Sequence, residues 1–278
     1  MNDKEEVKVA VIGGGFAGLL SAYVAAKKYG VNNVVIFKKA DGASSLFSGT
    51  FDIFGYNPVT SEPLESGKEG IEIVVNQFQN HPYTIAGRIR DGISREDVLD
   101  NTLKTLDKAI KLFQEITSDL ILGELEKNVF LPTTLGTCTV TAFYPPSMKE
   151  GILETLHKKK ILIVGFHGYS EAYPRFIAKE LEYRATKLGV KLEAKGERIK
   201  IPGLSIESDL DPFSISRAMD NEEVFKEFAS VIKSNLDIQS VDKIAFPPVL
   251  GYVGFRERYK ELSEELGVDV FELSLIHI

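Results

Sequence analysis

Six residues near the N-terminus have the types and spacing that cradle a phosphate: Gly13-Gly14-Gly15-Phe16-Ala17-Gly18. In a G-x-G-x-x-G pattern each fixed glycine has its own physical task. Gly13 permits a tight turn after a strand, Gly15 lets a phosphate approach the backbone, and Gly18 lets the next helix lie against the strand. The first N–H groups of that helix have no intrahelical acceptor, and the aligned peptide dipoles place a partial positive charge there. The chemistry on offer is capture of a phosphate ester, with Gly14 inside the turn. The rival is a glycine turn with no ligand, and context weighs against it.

That context is a complete βαβ unit. Val7 to Ile12 reads as a short apolar strand, and Phe16 to Tyr29 as a helix whose Ala17, Gly18, Ala22, Ala25 and Ala26 let it sit close to a sheet. Gly30 ends the helix, and Asn33 to Phe37 reads as a second strand, buried on both faces and so parallel to the first. The crossover is right-handed by the usual rule, giving a Rossmann-like start. One part of the pattern is missing. An acidic residue near the end of the second strand normally holds the adenosine ribose, but the chain offers Phe37-Lys38-Lys39. Asp41 substitutes for it, or Lys38 favours the extra phosphate of NADP, or the ligand carries no adenosine, as in FMN. A backbone group in place of the acid is the fourth reading.

Other candidates lie further on. The segment from Asp41 to Pro58, DGASSLFSGTFDIFGYNP, holds Ser44, Ser45, Ser48, Gly49 and Thr50. These donors suit a phosphate-bearing cofactor and suit turn chemistry equally; Ser45, Ser48 and Gly49 are the cofactor candidates. Asp52, between Phe51 and Ile53, is an oriented acid or a loop cap. His167 follows a buried strand, and its ordinary role is structural. These two are the catalytic candidates. His81 before Pro82 reads as a turn residue and His157 as a solvated residue of a basic helix. Arg175 by default makes a surface ion pair. Cys138, the single cysteine, is read as packing, because no CxxC partner or nearby cation activates it. It also excludes an intrachain disulfide and a multi-cysteine metal site, so no metal is expected.

The 278 residues are 44% hydrophobic and 26% charged, with a net charge of −7 and no basic stripe, which argues against nucleic acid as a partner. No apolar run approaches the roughly 20 residues of a membrane span, and the N-terminus lacks a signal-peptide pattern. The expected location is cytoplasmic. Helices are expected over Gly70 to Asn80, from Ser94 as N-cap through Ile116, from Arg175 to Leu188, from Glu222 to Leu236, and from Arg256 to Leu266. Lys160 to Val164 reads as a buried strand, Lys191 to Ile206 as a hairpin or pair of strands, and Val268 to Phe271 as strand-like. The class is α/β: a Rossmann-like domain with a second α+β substrate or cap domain.

The flavin enters through resemblance. VAVIGGGFAGLLSAY (Val9 to Tyr23), LFSGTFDIFGY (Leu46 to Tyr56), HPYTIAG (His81 to Gly87), LPTTLGT (Leu131 to Thr137), ILIVGFHGYSEAYP (Ile161 to Pro174) and FPPVLGY (Phe246 to Tyr252) occur in order. Together they resemble the B subunits of the anaerobic glycerol-3-phosphate dehydrogenases, flavoproteins related to the fumarate-reductase flavin-domain group. The resemblance implies FMN, with FAD as the alternative. It also implies a complex of three subunits oxidising glycerol 3-phosphate to dihydroxyacetone phosphate, with electrons passing to quinone. One companion in that complex is a related FAD-bearing flavoprotein. The other carries iron–sulfur clusters and brings the assembly to the inner face of the membrane. This chain would be an electron relay, and a small-molecule substrate at its own site stays open. Cys138-Thr139-Val140 stands where the family tends to have arginine and proline, against an anion-binding role for that loop. Two rival functions are an NAD(P)-dependent dehydrogenase and a non-catalytic flavin-fold assembly subunit.

The expected division is 1–60 for the βαβ part of the flavin domain, 61–240 for the cap region, and 241–272 for the start of a return to the flavin domain. Residues 273–278, LSLIHI, resemble a translated sequencing adapter and are expected to be a non-native tail with few core contacts, ahead of a closing stretch that relatives possess.

Overall fold

Val9–Ile12 (β1) and Val34–Phe37 (β2) pair in parallel, joined by the helix Phe16–Tyr29 (α1), as the strand–glycine–helix–strand pattern requires. The computed structural model describes residues 6–40, 42, 49–88, 95–117, 120–204 and 209–275. The chain divides into two compact units, Met1–Ser48 and Gly49–Ile278. In the first, Ala22 of α1 is buried, whereas Ile12 is 89% and Phe37 59% exposed.

The second unit is built on a four-stranded parallel sheet. Its strands are Lys160–Phe166 (β7), Glu193–Ile199 (β8), Lys243–Phe246 (β9) and Asp269–Glu272 (β10), in the order β10-β9-β7-β8. Helix Pro174–Lys187 (α5) links β7 to β8, Pro212–Asp220 (α6) and Glu222–Asn235 (α7) link β8 to β9, and Phe255–Leu266 (α8) links β9 to β10. Every residue from Ile161 to Phe166 and from Lys243 to Phe246 is buried, the continuous apolar pattern of strands covered on both faces. Phe166, Phe228 and Phe246 meet with ring centroids 5.9–6.3 Å apart in the core. Lys243 is tolerated there because its Nζ donates to the Glu150 carbonyl at 2.8 Å and to its carboxylate at 2.6 Å. Two glycines let α5 settle onto the sheet: a Cβ on Gly196 would stand 2.2 Å from the Pro174 carbonyl carbon, and one on Gly165 2.8 Å from Pro174 Cδ.

The rest of this unit combines helices Gly67–Gln77 (α2), Pro82–Gly87 (α3) and Arg95–Thr117 (α4) with two small antiparallel pairs. Leu122–Gly123 (β3) pairs with Phe143–Tyr144 (β6), and Val129–Pro132 (β4) with Cys138–Thr141 (β5). The helical spacing in α4 does its expected work: Leu99, Leu103, Leu106 and Ile110 pack on buried Ile71, Val75, Val98 and Leu125. Asn128 fastens the segment after Gly49, donating through Nδ2 to the carbonyls of Phe54 at 3.1 Å and Leu64 at 3.0 Å. Asn128→Ala is expected to cost roughly 2 kcal/mol, since buried carbonyls lose their donors. Urea denaturation measures this, and an unchanged midpoint would show that the segment is held by other contacts.

The structure departs from the sequence expectations at several points. Among the described residues of Lys191 to Ile206 the expected hairpin or pair of strands is one strand, β8, parallel to β7 because a helix, not a turn, joins them. Helix α6 has no counterpart among the expected helices. β9 pairs with β7 and β10 with β9, and the residues from Gly49 onward form one compact unit. Leu273 and Ser274 are buried and extend β10. Leu273 N donates to Phe246 O at 2.9 Å, Ser274 N to Pro132 O at 2.9 Å, and Thr134 N to Ser274 O at 3.0 Å. The expectation of few core contacts after Glu272 therefore fails for these two residues, and 276–278 lie outside the described residues. His157 follows a 3-10 turn, Leu153–Leu156, not an α-helix, and its Nδ1 accepts from Lys191 N at 3.3 Å. Ser94 also lies outside the described residues.

Candidate functional site

The glycine turn is built by the strand pairing that precedes it. The β1–β2 register ends at Ile12 opposite Phe37, and Gly13 N adds one more bond, to Phe37 O at 2.9 Å. The end of β2 is thereby drawn against the turn. A Cβ on Gly14 would stand 2.8 Å from both Cβ and Cδ of Lys38 and 2.9 Å from Ala40 O. Gly13 has φ +121°, outside the range of ordinary side chains. A Cβ on Gly18 would stand 2.2 Å from Gly13 O, so only glycine lets α1 start this close to β1. Gly15 differs, for its φ of −77° and ψ of 177° are open to any residue. The fold explains Gly13, Gly14 and Gly18; backbone conformation does not explain Gly15.

The N-terminus of α1 has no side-chain cap at Gly15 and no acidic residue in its first turn, while Lys27 and Lys28 occupy its last. That charge distribution follows the helix dipole at the C-terminal end and places no acidic residue of the first turn against the N-terminal field, which suits an anion. The residues present fit a phosphate. Gly13, Gly14, Gly15, Gly18 and Lys38 come together here.

The remaining candidates fall in the second unit or outside the described residues. Ser45 and Ser48 are outside them, as are Ser44 and Asp41. Gly49 has φ +83° with its open side 3.2 Å from Pro145 Cγ, a turn glycine packed on proline. Asp52 is half-buried and its Oδ1 accepts from Gly55 N at 2.5 Å; desolvation raises its pKa and that bond lowers it, with a net rise. It behaves as the cap of its loop. His167 is exposed at the end of β7, its N–H donating to Ile199 O at 2.9 Å. It opens onto a groove with Lys195 and Glu197 of β8 and Asn235 of α7. Asp52 and His167 lie on different elements and share no hydrogen bond. His81 is the N-cap of α3, accepting from Tyr83 N at 3.2 Å, and Arg175 reaches Glu197 at 3.9 Å across the surface. Burial pushes the Cys138 thiol up to about 12, the state of a packed, inert cysteine. Among the described residues no His/Cys/Asp/Glu group could hold a metal, and no helix is long and apolar enough to cross a membrane.

Sequence reasoning passes over two arrangements. Glu272, at the end of β10, has its carboxyl pushed up to about 7 by burial, offset in part by Ser147 Oγ donating at 2.5 Å. Asp220, at the end of α6, accepts from three successive backbone N–H groups before α8. The Gly251–Gly254 spacing between a strand and a helix is the available sign of the second; nothing local marks the first.

A parallel βαβ unit with a glycine turn is the start of a nucleotide-binding domain, and residues 8–226 match the FAD binding domain family, to which the chain belongs. The chain is similar to the probable B subunit of the anaerobic glycerol-3-phosphate dehydrogenase of Halobacterium salinarum, 26% identical over 280 residues covering 97% of this chain and 59% of that one. The corresponding B subunit of Haemophilus influenzae is 30% identical over 179 residues, 62% of this chain and 38% of the relative. That of Pasteurella multocida is 23% identical over 273 residues, 95% and 58%. The resemblance inferred from the six sequence patches thus extends along nearly the whole chain, which spans about three fifths of the length of the Halobacterium relative. No solved structure matches.

Proposed function

We propose that this chain is the flavin-bearing electron-relay subunit of an anaerobic glycerol-3-phosphate dehydrogenase complex, and that its flavin is FMN held by the phosphate at the Gly13–Gly18 turn. The observation that supports the reading is the start of α1: a helix with no acidic residue in its first turn, reached through a glycine turn whose Gly13 has φ +121°. When bound, the flavin accepts an electron pair and passes electrons on singly. The chain's own contribution is to bind and orient. The first N–H groups of α1 hold the phosphate, and Lys38, whose stem closes over Gly14, sets a cation beside it. Lys38 stands where an acid would hold the adenosine ribose, which favours FMN over the FAD of the family's description. Ser45 and Ser48 are the further polar candidates for the cofactor. Residues 61–240 act as the cap or substrate region. Substrate oxidation belongs to the FAD-bearing companion in the complex, and the iron–sulfur companion takes the electrons to quinone at the inner face of the membrane.

Heat-released flavin separated by chromatography is expected to be FMN; recovery of FAD would mean that other groups hold the ribose. Lys38 also suits the 2′-phosphate of NADP. A colourless preparation that binds NADPH and takes up no flavin would replace the flavin reading with that of a nicotinamide enzyme. Glycerol 3-phosphate added to the reconstituted complex is expected to reduce this chain's flavin, while the chain by itself turns over little. Failure of that reduction would leave a role in assembly.

A further inference from the structure

The four-stranded sheet has a switch point of its own. From β7 the chain crosses to β8 on one side, then returns past it to β9 on the other, giving the order β8-β7-β9-β10. In open parallel sheets, ligands bind outside the carboxyl ends of the strands where the order reverses. At that edge β9 ends at Phe246 and runs through a loop containing Gly251, with φ +132°, and Gly254 into the 12-residue helix α8.

The loop turns three successive N–H groups onto one carboxylate. Tyr252 N and Gly254 N each reach Asp220 Oδ1 at 3.0 Å, and Val253 N reaches Oδ2 at 2.9 Å and Oδ1 at 3.2 Å. A concave run of N–H groups is an anion-binding surface. A second observation concerns Arg258, only 8% exposed. Its Nη1 holds Glu222 at 3.0 Å and Glu261 at 2.7 Å, and its Nη2 reaches Asp220 O at 3.1 Å, but its buried Nε has no acceptor. A Cβ on Gly254 would stand 3.5 Å from Asp220 Oδ1 and 3.7 Å from Arg258 Nε, so the carboxylate and the unpaired donor face the same space. The two oxygens of a carboxylate satisfy the backbone N–H groups and leave the guanidinium donor over. A tetrahedral anion has oxygens for both. The mouth is open to solvent: Tyr252 is 51% and Val253 79% exposed, and the Arg217 guanidinium lies 5.5 Å over the Tyr252 ring.

We propose that Gly251–Gly254 and Arg258 form a subsite for a phosphate monoester, and that Asp220 is a built-in occupant which the phosphate displaces. The subsite lies wholly within the second unit and does not rest on the flavin reading. Desolvation opposes ionisation of Asp220, but the bonds from Val253, Gly254 and Tyr252, with Arg258 nearby, outweigh it and hold its carboxyl below the usual range, as expected of an anion in an anion site.

Calorimetric titration of the full chain with inorganic phosphate, glycerol 3-phosphate and AMP tests this. Asp220→Ala is expected to bind phosphate at least about tenfold more tightly than the unaltered chain, since the competing charge is gone. Adding Gly254→Ala should reverse the gain; its φ of −86° accepts alanine, and its methyl fills the space before Nε. Should Asp220→Ala fail to fold, Asp220→Asn keeps a neutral acceptor for the N–H groups and reads the same competition. Glycerol 3-phosphate binding tenfold better than AMP assigns the subsite to a small polyol phosphate, the reverse order to a nucleotide, and equal affinity for all three to phosphate itself. No gain in either Asp220 variant, or a gain that Gly254→Ala leaves intact, overturns the proposal and makes Asp220 an anchor for α8.

Discussion

Gly15→Val is expected to leave the chain folded and to weaken flavin binding by roughly a hundredfold or more, about 3 kcal/mol. The backbone at Gly15 (φ −77°, ψ 177°) accepts valine without strain, so the loss falls on the approach of the phosphate to the helix N-terminus. Gly18→Ala provides the contrast. Its methyl would meet Gly13 O at 2.2 Å, so α1 must move off β1, and both binding and thermal stability should fall. Flavin retained after desalting gives the first readout, and circular-dichroism melting separates the two variants. A folded Gly15→Val chain with undiminished flavin would remove the glycine turn from the site.

The second large effect is on stability against pH. Burial, the larger cause, raises Glu272 from 4.5 to about 7 despite the bond from Ser147. The folded state therefore holds this proton more tightly than the unfolded chain does. The contribution is complete below pH 4.5 and is lost as pH rises through about 7. The shift corresponds to about 3 kcal/mol. Asp52, also raised, acts in the same direction at lower pH, whereas Asp211, Asp220, Asp242, Glu222 and Glu265 are lowered and lose stability only as pH falls below the ordinary carboxylate range. Glu272 is the carboxyl raised to about 7, so a decline in stability through neutral pH is expected from it. Glu272→Gln should flatten the decline seen there by urea denaturation and make the chain more stable than the parent at pH 8. Parallel declines in parent and variant would show that Glu272 is solvated.

The sequence by itself determined the glycine turn, its two strands and the helix between them, because each depends on residues within about thirty positions: small residues for close packing, a φ that only Gly13 tolerates, and short apolar runs. Amphipathic α4 and α7 were equally legible, their apolar residues recurring at helical spacing. Helix α6 has a legible start as well, with Asp211 as N-cap accepting from Ser214 N at 2.9 Å and Pro212 in the first turn, but at nine residues it offers little periodicity to read. What the tertiary structure alone decided is the partner of each strand. Apolar runs such as Lys160–Phe166 and Lys243–Phe246 announce burial and not a neighbour, and only the folded chain pairs β9 with β7 on one side and β10 on the other. The same holds for Asp220 and Glu272. Their states are set by N–H groups more than thirty residues away, by burial, and by a bond from Ser147, 125 residues back, and electrostatics of that range exists only after the chain has folded.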